Sequence, residues 1–225
     1  MNAVPDTDDS RDAKLFALAR AEMYSGLSRL LASPEQAIAK AWLDHVAIVE
    51  RLLIADEALS TEDSRIAELF ALSQAADLEH GAEDVAALVG ASYGALFEVG
   101  DRGPPLAIRE ELAPGANAAA KEEVARFYEH FGYRLGDDYA WRPDHLSVLL
   151  EFMHFLSWHA SQSGDAALIA GLRSAQRDFC QRHLAWWVGD LANSVAARSD
   201  AHPLLQASLR ATKDFIAVEL QSLGD

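Results

Sequence analysis

The sequence predicts an all-α fold, one globular domain of about nine helices spanning residues 1–225. Three observations carry this. Ala and Leu, both strong helix formers, dominate the composition. Val and Ile are scattered, and no stretch alternates apolar and polar residues with period two. Apolar residues recur instead at spacings of three and four, the period of one helical face.

The first helix is expected from Ser10 or Asp12 to Ala32, with Leu15, Leu18, Met23, Leu27 and Leu30 on its inner face. Ser33-Pro34 stops it, and Pro34 suits the first position of a second helix that carries Ile38, Trp42, Val46, Val49 and Leu52 and ends near Ala55. Ser60, with Asp63 three residues on, is an expected N-cap for a third helix through Leu78. Gly81 breaks the chain before a fourth with Val85, Val89, Leu96 and Phe97. Gly100 to Gly115 holds Pro104, Pro105 and Pro114, and reads as a long surface loop. Helix returns from Ala116 to Tyr133. Pro143-Asp144-His145 opens a long apolar helix to about Ser161. Two more are expected between Asp165 and Arg198, bending near His183, and a last one from His202-Pro203 to Gly224.

Charge and motif content exclude several functions. The 225 residues carry 19 Lys+Arg against 35 Asp+Glu, a formal net charge of −16. Such a chain does not suit nucleic-acid phosphates or an anionic membrane surface. The acidic start lacks a signal-peptide pattern, so a cytoplasmic protein without membrane insertion is expected. The single cysteine, Cys180, rules out an internal disulfide and any Cys-rich metal site. No phosphate-binding glycine loop and no Gly-x-Ser-x-Gly elbow occurs, and no cofactor is expected. A Cys180–His183 pair sits at helical spacing, but a buried structural cysteine is the expected role.

Three constellations remain. Glu151-x-x-His154 puts two metal-type ligands on one helix face, with Glu22 and Glu50 as further carboxylates; a helical-bundle metalloprotein is the alternative reading. Asp144 is either the N-cap of the helix after it or a carboxylate for a partner's arginine, and both roles can coexist. Tyr93, Leu96 and Phe97 share a helix face beside the Pro-rich loop, a pattern suited to a groove for an apolar peptide.

Pro143-Asp144-His145-Leu146-Ser147-Val148-Leu149-Leu150-Glu151-Phe152-Met153 resembles the signature of the TorD/DmsD/NarJ-like redox-enzyme maturation chaperones. Tyr93-Gly94-Ala95-Leu96-Phe97, Gly103-Pro104-Pro105, Phe127-Tyr128-Glu129-His130-Phe131-Gly132 and the late Phe179, His183-Leu184, Trp187 pattern keep the family's order over about Tyr93 to Trp187. The look is closest to chaperones of type II DMSO-reductase-family enzymes. The pattern departs at Arg142, where many members carry Glu, and at Leu106. The resemblance implies a cytoplasmic, non-enzymatic chaperone, monomeric or a domain-swapped dimer. It would bind the apo catalytic subunit of a molybdoenzyme, or its twin-arginine signal peptide, assisting molybdenum-cofactor insertion and delaying export. On this resemblance Tyr93, Leu96, Phe97, Pro105, Pro143, Asp144 and His145 face the client. Replacing Asp144 and His145 together is then expected to cut client binding while sparing the melting temperature.

Overall fold

The computed structural model describes residues 8–33, 41–59, 65–98, 103–136 and 142–224. Nine α-helices form among them: α1 (Asp8–Leu30), α2 (His45–Leu59), α3 (Ile66–His80), α4 (Ala82–Phe97), α5 (Ala120–Phe131), α6 (Leu146–Gln162), α7 (Ala166–His183), α8 (Val188–Ala196) and α9 (Pro203–Gly224). The described residues contain no strand ladder; an isolated antiparallel bridge joins Arg109 and His145.

The sequence expectations hold in element type and shift at several ends. Ser60 and Asp63, the expected cap of the third helix, lie outside the described residues, as does the stretch 34–40. The second helix starts late, at His45, because Trp42 turns inward and donates from its indole Nε1 to the Leu30 carbonyl at 3.1 Å. The helix expected from Ala116 starts at Ala120, because the Asn117 side chain takes the Ala119 N–H at 3.0 Å and forms a turn there instead. It stops at Gly132, whose φ of 68° is the left-handed conformation glycine adopts without cost. Asp165 caps α7, accepting from the N–H groups of Ala167 and Leu168 at 2.9 and 3.4 Å.

The centre is the pair α1 and α6, packed antiparallel. Ser28 Oγ donates to the Ser147 carbonyl at 2.8 Å, and one helical stretch away His154 Nδ1 meets the Ala21 carbonyl at 2.8 Å. Helix α2 lies on α1 where Gly26 faces Leu52. Helix α9 runs against α1, α3, α7 and α8 and closes the far side. Phe152 of α6 is fully buried at the hub of an aromatic cluster, with ring centroids 4.8 Å from Tyr128 and 4.7 Å from Phe179. Edge-on contacts of this kind stabilise beyond their buried area.

The α1–α2 contact gives a direct test of packing. A Cβ on Gly26 would lie 2.5 Å from Leu52 Cδ2 and 2.8 Å from Cγ, and Leu52 is itself fully buried. Gly26→Ala should therefore cost about 1–3 kcal/mol despite the better helix propensity of alanine. A chemical denaturation midpoint at or above wild type would show that Leu52 has room to move.

Candidate functional site

The turn before α6 is where the chain's loops converge. Leu146 N–H donates to the Ile108 carbonyl and Glu110 N–H to the Asp144 carbonyl, both at 3.0 Å. Segment 103–115 is thus laid as a strap across the start of α6. Its near end is held by Leu106 N–H on the Leu96 carbonyl at 3.0 Å. Tyr128 braces the turn from α5, donating from its hydroxyl to the Pro143 carbonyl at 2.8 Å.

Two buried carboxylates latch the strap. Asp144 is fully buried; its Oδ1 accepts from Arg109 Nε and Nη2 at 3.3 and 3.1 Å, and its Oδ2 from the Glu111 N–H at 3.0 Å. Arg109 also bonds the Glu111 carboxylate. On the other side Glu110 is buried against the end of α7 and the turn that follows it. Its carboxylate faces His183 Nδ1 at 3.1 Å and accepts from Trp186 Nε1 at 3.2 Å. The His183 carbonyl in turn accepts the Trp187 indole N–H at 2.8 Å and orients that ring.

His145 is the cap of α6. Its Nδ1 accepts the Ser147 N–H at 3.2 Å, so that nitrogen carries a lone pair and the proton sits on Nε2. Nε2 then donates to the Tyr93 hydroxyl at 2.9 Å, and Tyr93 passes its own hydrogen to the Leu31 carbonyl at 3.5 Å. Three helices are joined through one neutral imidazole. Burial holds the His145 pKa down to about 3, helped by the positive charges of Arg142 and Arg109. A cation at a helix N-terminus is unfavourable, which fits a neutral ring there.

This geometry corrects part of the sequence reading. The N-cap of α6 is His145 rather than Asp144, because the imidazole reaches the Ser147 N–H while the carboxylate turns back to Arg109 and Glu111. The arginine that Asp144 binds is the chain's own Arg109. Tyr93, Leu96, Phe97, Pro143, Asp144 and His145 are all buried. Tyr93, Leu96 and Phe97 therefore do not line an open groove; their face packs into the core, with the Tyr93 and Phe97 rings 4.9 Å apart, edge to face. Of the seven predicted residues, Pro105 alone is exposed. Arg142 pairs with Glu98 at 3.6 Å.

One open feature here is a groove of about 380 Å³ between the strap and α8. Pro104, Pro105, Leu106 and Leu112 form one wall, and Trp187 and Leu191 the other. Sequence reasoning missed Arg109 and Glu110, the residues that hold this wall in place. Their signal was a run of three charged residues, Arg109-Glu110-Glu111, inside the otherwise uncharged segment 103–115.

The other candidates are separate. Cys180 is buried, and that burial together with the Glu219 charge pushes its thiol up to about 12, far from a reactive thiolate. His183 faces Glu110. His154 is tied to the Ala21 carbonyl, and burial raises the Glu151 carboxyl. Among the described residues no three His, Cys, Asp or Glu side chains gather in a metal-binding group. No described helix is long and apolar enough to cross a membrane.

Residues 56–193 match the family described as nitrate reductase delta subunit. The chain is 31% identical over 143 residues to the selenate reductase assembly chaperone protein of Thauera selenatis, covering 60% of this chain and 74% of that one. It is 36% identical over 146 residues to the chlorate reductase assembly chaperone protein of Ideonella dechloratans, covering 60% and 70%. To the dimethyl sulfide dehydrogenase assembly chaperone protein of Rhodovulum sulfidophilum it is 36% identical over 139 residues, covering 56% and 54%. No solved structure matches it. These relatives are named as assembly chaperones. The latched strap, its two carboxylates and the α6 cap all fall inside the matched span, and the chain belongs to the nitrate reductase delta subunit family.

Proposed function

We propose that this protein is a dedicated cytoplasmic maturation chaperone. Its client is the apo catalytic subunit of a DMSO-reductase-family molybdenum oxidoreductase, bound through the mature subunit or its twin-arginine signal peptide. It holds that subunit for cofactor insertion and delays its export. The family match over residues 56–193, with relatives named as assembly chaperones of selenate and chlorate reductases, carries this reading. The chemistry agrees: an acidic chain attracts a client segment with a basic start, and opposite charge speeds encounter.

Client contact is assigned to the groove between the strap and α8, with Pro105 at its rim. Tyr93, Leu96, Phe97, Pro143, Asp144 and His145 serve it indirectly, by holding the strap in place. Leu112 is half exposed in this groove. Leu112→Glu should leave the melting temperature close to wild type, since exposed substitutions usually change stability by less than about 0.5 kcal/mol. It should weaken client capture by roughly tenfold, the loss of one apolar anchor. Thermal melting checks the first, and affinity capture with tagged protein from its native cells, read by mass spectrometry, checks the second. A molybdoenzyme catalytic subunit recovered with wild type and depleted with Leu112→Glu is the expected result. Repeated capture with no such subunit would overturn the reading.

A further inference from the structure

The strap has two edges, and the core uses one of them. Leu106 N–H, the Ile108 carbonyl and Glu110 N–H point inward, to Leu96, Leu146 and Asp144. Arg109, between the last two, is extended, with φ −119° and ψ 137°, and is the residue bridged to His145. Along an extended chain, successive residues turn their N–H and C=O to opposite edges. The N–H and C=O of Ala107 therefore face away from the core, and Ala107 lines the groove. Neither group has a partner among the described residues, although Ala107 is half-buried. An edge with an unpaired donor and acceptor is a template for a further strand, and half-buried backbone groups gain when they are satisfied.

The side chains around that edge narrow the choice of occupant. Leu112 is half exposed among Pro105, Trp187 and Leu191, so apolar surface is open in the groove. Asp190, in the first turn of α8, is the one charged side chain among the groove's described lining residues. It is exposed, and among the described residues it has neither a hydrogen bond nor an ion pair. The carboxylates of the strap and turn are engaged instead: Asp144 and Glu111 by Arg109, Glu110 by His183 and Trp186. A free carboxylate beside an apolar groove selects for a cation on whatever fills it.

An unpaired strand edge, an apolar wall and a free carboxylate fit one occupant. We propose that the groove takes a client segment in extended form, added as a strand alongside the strap. One residue of the segment exchanges both backbone hydrogen bonds with Ala107. An apolar side chain lies against Leu112 and Leu191, and a lysine or arginine reaches Asp190. Backbone pairing supplies affinity that tolerates sequence change, and the two side-chain positions select. This deepens the assembly-chaperone reading and rests on it for the source of the segment; the mode of binding is read from the groove alone.

The probe is a display library of random decapeptides, selected on wild-type protein and counter-selected on Leu112→Glu. Enriched peptides should carry lysine or arginine at a fixed spacing from an apolar residue. Asp190→Lys, an exposed change that leaves circular dichroism unaltered, should enrich aspartate or glutamate at that position instead. Asp190→Asn should weaken a synthetic enriched peptide by about tenfold in fluorescence anisotropy. Long-range attraction by a chain of net −16 changes little when a single charge is removed, so a loss of that size is local. N-methylation, moved along the peptide one bond at a time, removes single donors. It should cost at least about tenfold at the bond facing Ala107 and little at the bonds on either side, whose N–H groups point to the opposite edge. Equal loss at every bond, or loss at none, would overturn the added strand. Peptides enriched without a basic residue, or indifferent to Asp190→Lys, would overturn the role of Asp190. No enrichment over Leu112→Glu would overturn the site. Failure of wild-type protein to capture any reductase subunit from its native cells counts against the chaperone reading alone, since the peptide selection needs no client.

Discussion

Asp144→Ala should lower the melting temperature by on the order of 10 °C, through loss of about 3–5 kcal/mol. The carboxylate is fully buried and satisfies three donors: two on Arg109 and the Glu111 N–H. Arg109 is itself only 17% exposed, so removing its partner leaves a largely desolvated guanidinium with Glu111 as its remaining acidic neighbour. The Glu111 N–H is left without its acceptor. Breaking a buried pair on one side costs far more than the pair contributes net, because the remaining charge is stranded. Asp144→Asn separates the terms: it keeps an acceptor for one donor, loses the charge, and should fall between alanine and wild type. Limited proteolysis should show strap cleavage in Asp144→Ala before global unfolding, since Glu110 N–H also bonds the Asp144 carbonyl beside the lost latch. This reverses the expectation drawn from sequence that Asp144 and His145 are replaceable without cost to stability. A melting temperature within a degree of wild type, with client capture abolished, would restore Asp144 as a client contact.

That reversal shows what the sequence makes legible. Helix type follows from the spacing of apolar residues, a local property, and every expected helix with enough described residues is present. Boundaries fail where a side chain captures a backbone group, as Asn117 does before α5 and Trp42 does before α2. The Asp144-His145 dipeptide stands out as unusual, and the resemblance places it in a family. Its direction cannot be read along the chain. Asp144 is satisfied by Arg109, 35 positions earlier, and His145 by Tyr93, 52 positions earlier. Polar residues in a family signature suggest an exposed recognition surface. Here they are buried because charged hydrogen bonds hold the strap over them, alongside the packing of Ile108 and Ala113 into the core. The same reasoning explains the misplacement of Tyr93, Leu96 and Phe97. A helix face beside a Pro-rich loop looks like a groove until the loop is latched over it.

His145→Asn should flatten the acid side of the stability profile. In the folded protein the imidazole is neutral with a pKa of about 3, against about 6.5 when unfolded. Between those values the unfolded chain binds a proton that the folded one does not. Stability from this residue is complete above pH 6.5 and is lost as pH falls towards 3. The slope is a little over 1 kcal/mol per pH unit, about 2 kcal/mol by pH 5 and about 4–5 kcal/mol over the whole interval. Glu219 and Glu151, whose pKa values burial raises, act with the opposite sign in part of this range. The total profile is therefore shallower than the His145 contribution alone, and the difference between wild type and variant isolates it. Asparagine is chosen because its side-chain oxygen can still cap α6 at Ser147, so the helix start survives while the titration and the Tyr93 bond are removed. At pH 7 His145→Asn is the less stable protein, by the bond to Tyr93 and the packing of the ring. Its deficit should shrink by about 2 kcal/mol between pH 7 and pH 5 in paired urea titrations. Tyr93→Phe, which removes the hydroxyl but keeps the buried imidazole, should retain most of the pH slope, because burial is its largest cause. A constant deficit for His145→Asn across that range would mean that the imidazole takes up its proton alike in the folded and unfolded chains, and a deficit that grows as pH falls would mean that it is protonated in the fold, with Nδ1 no longer able to accept from Ser147.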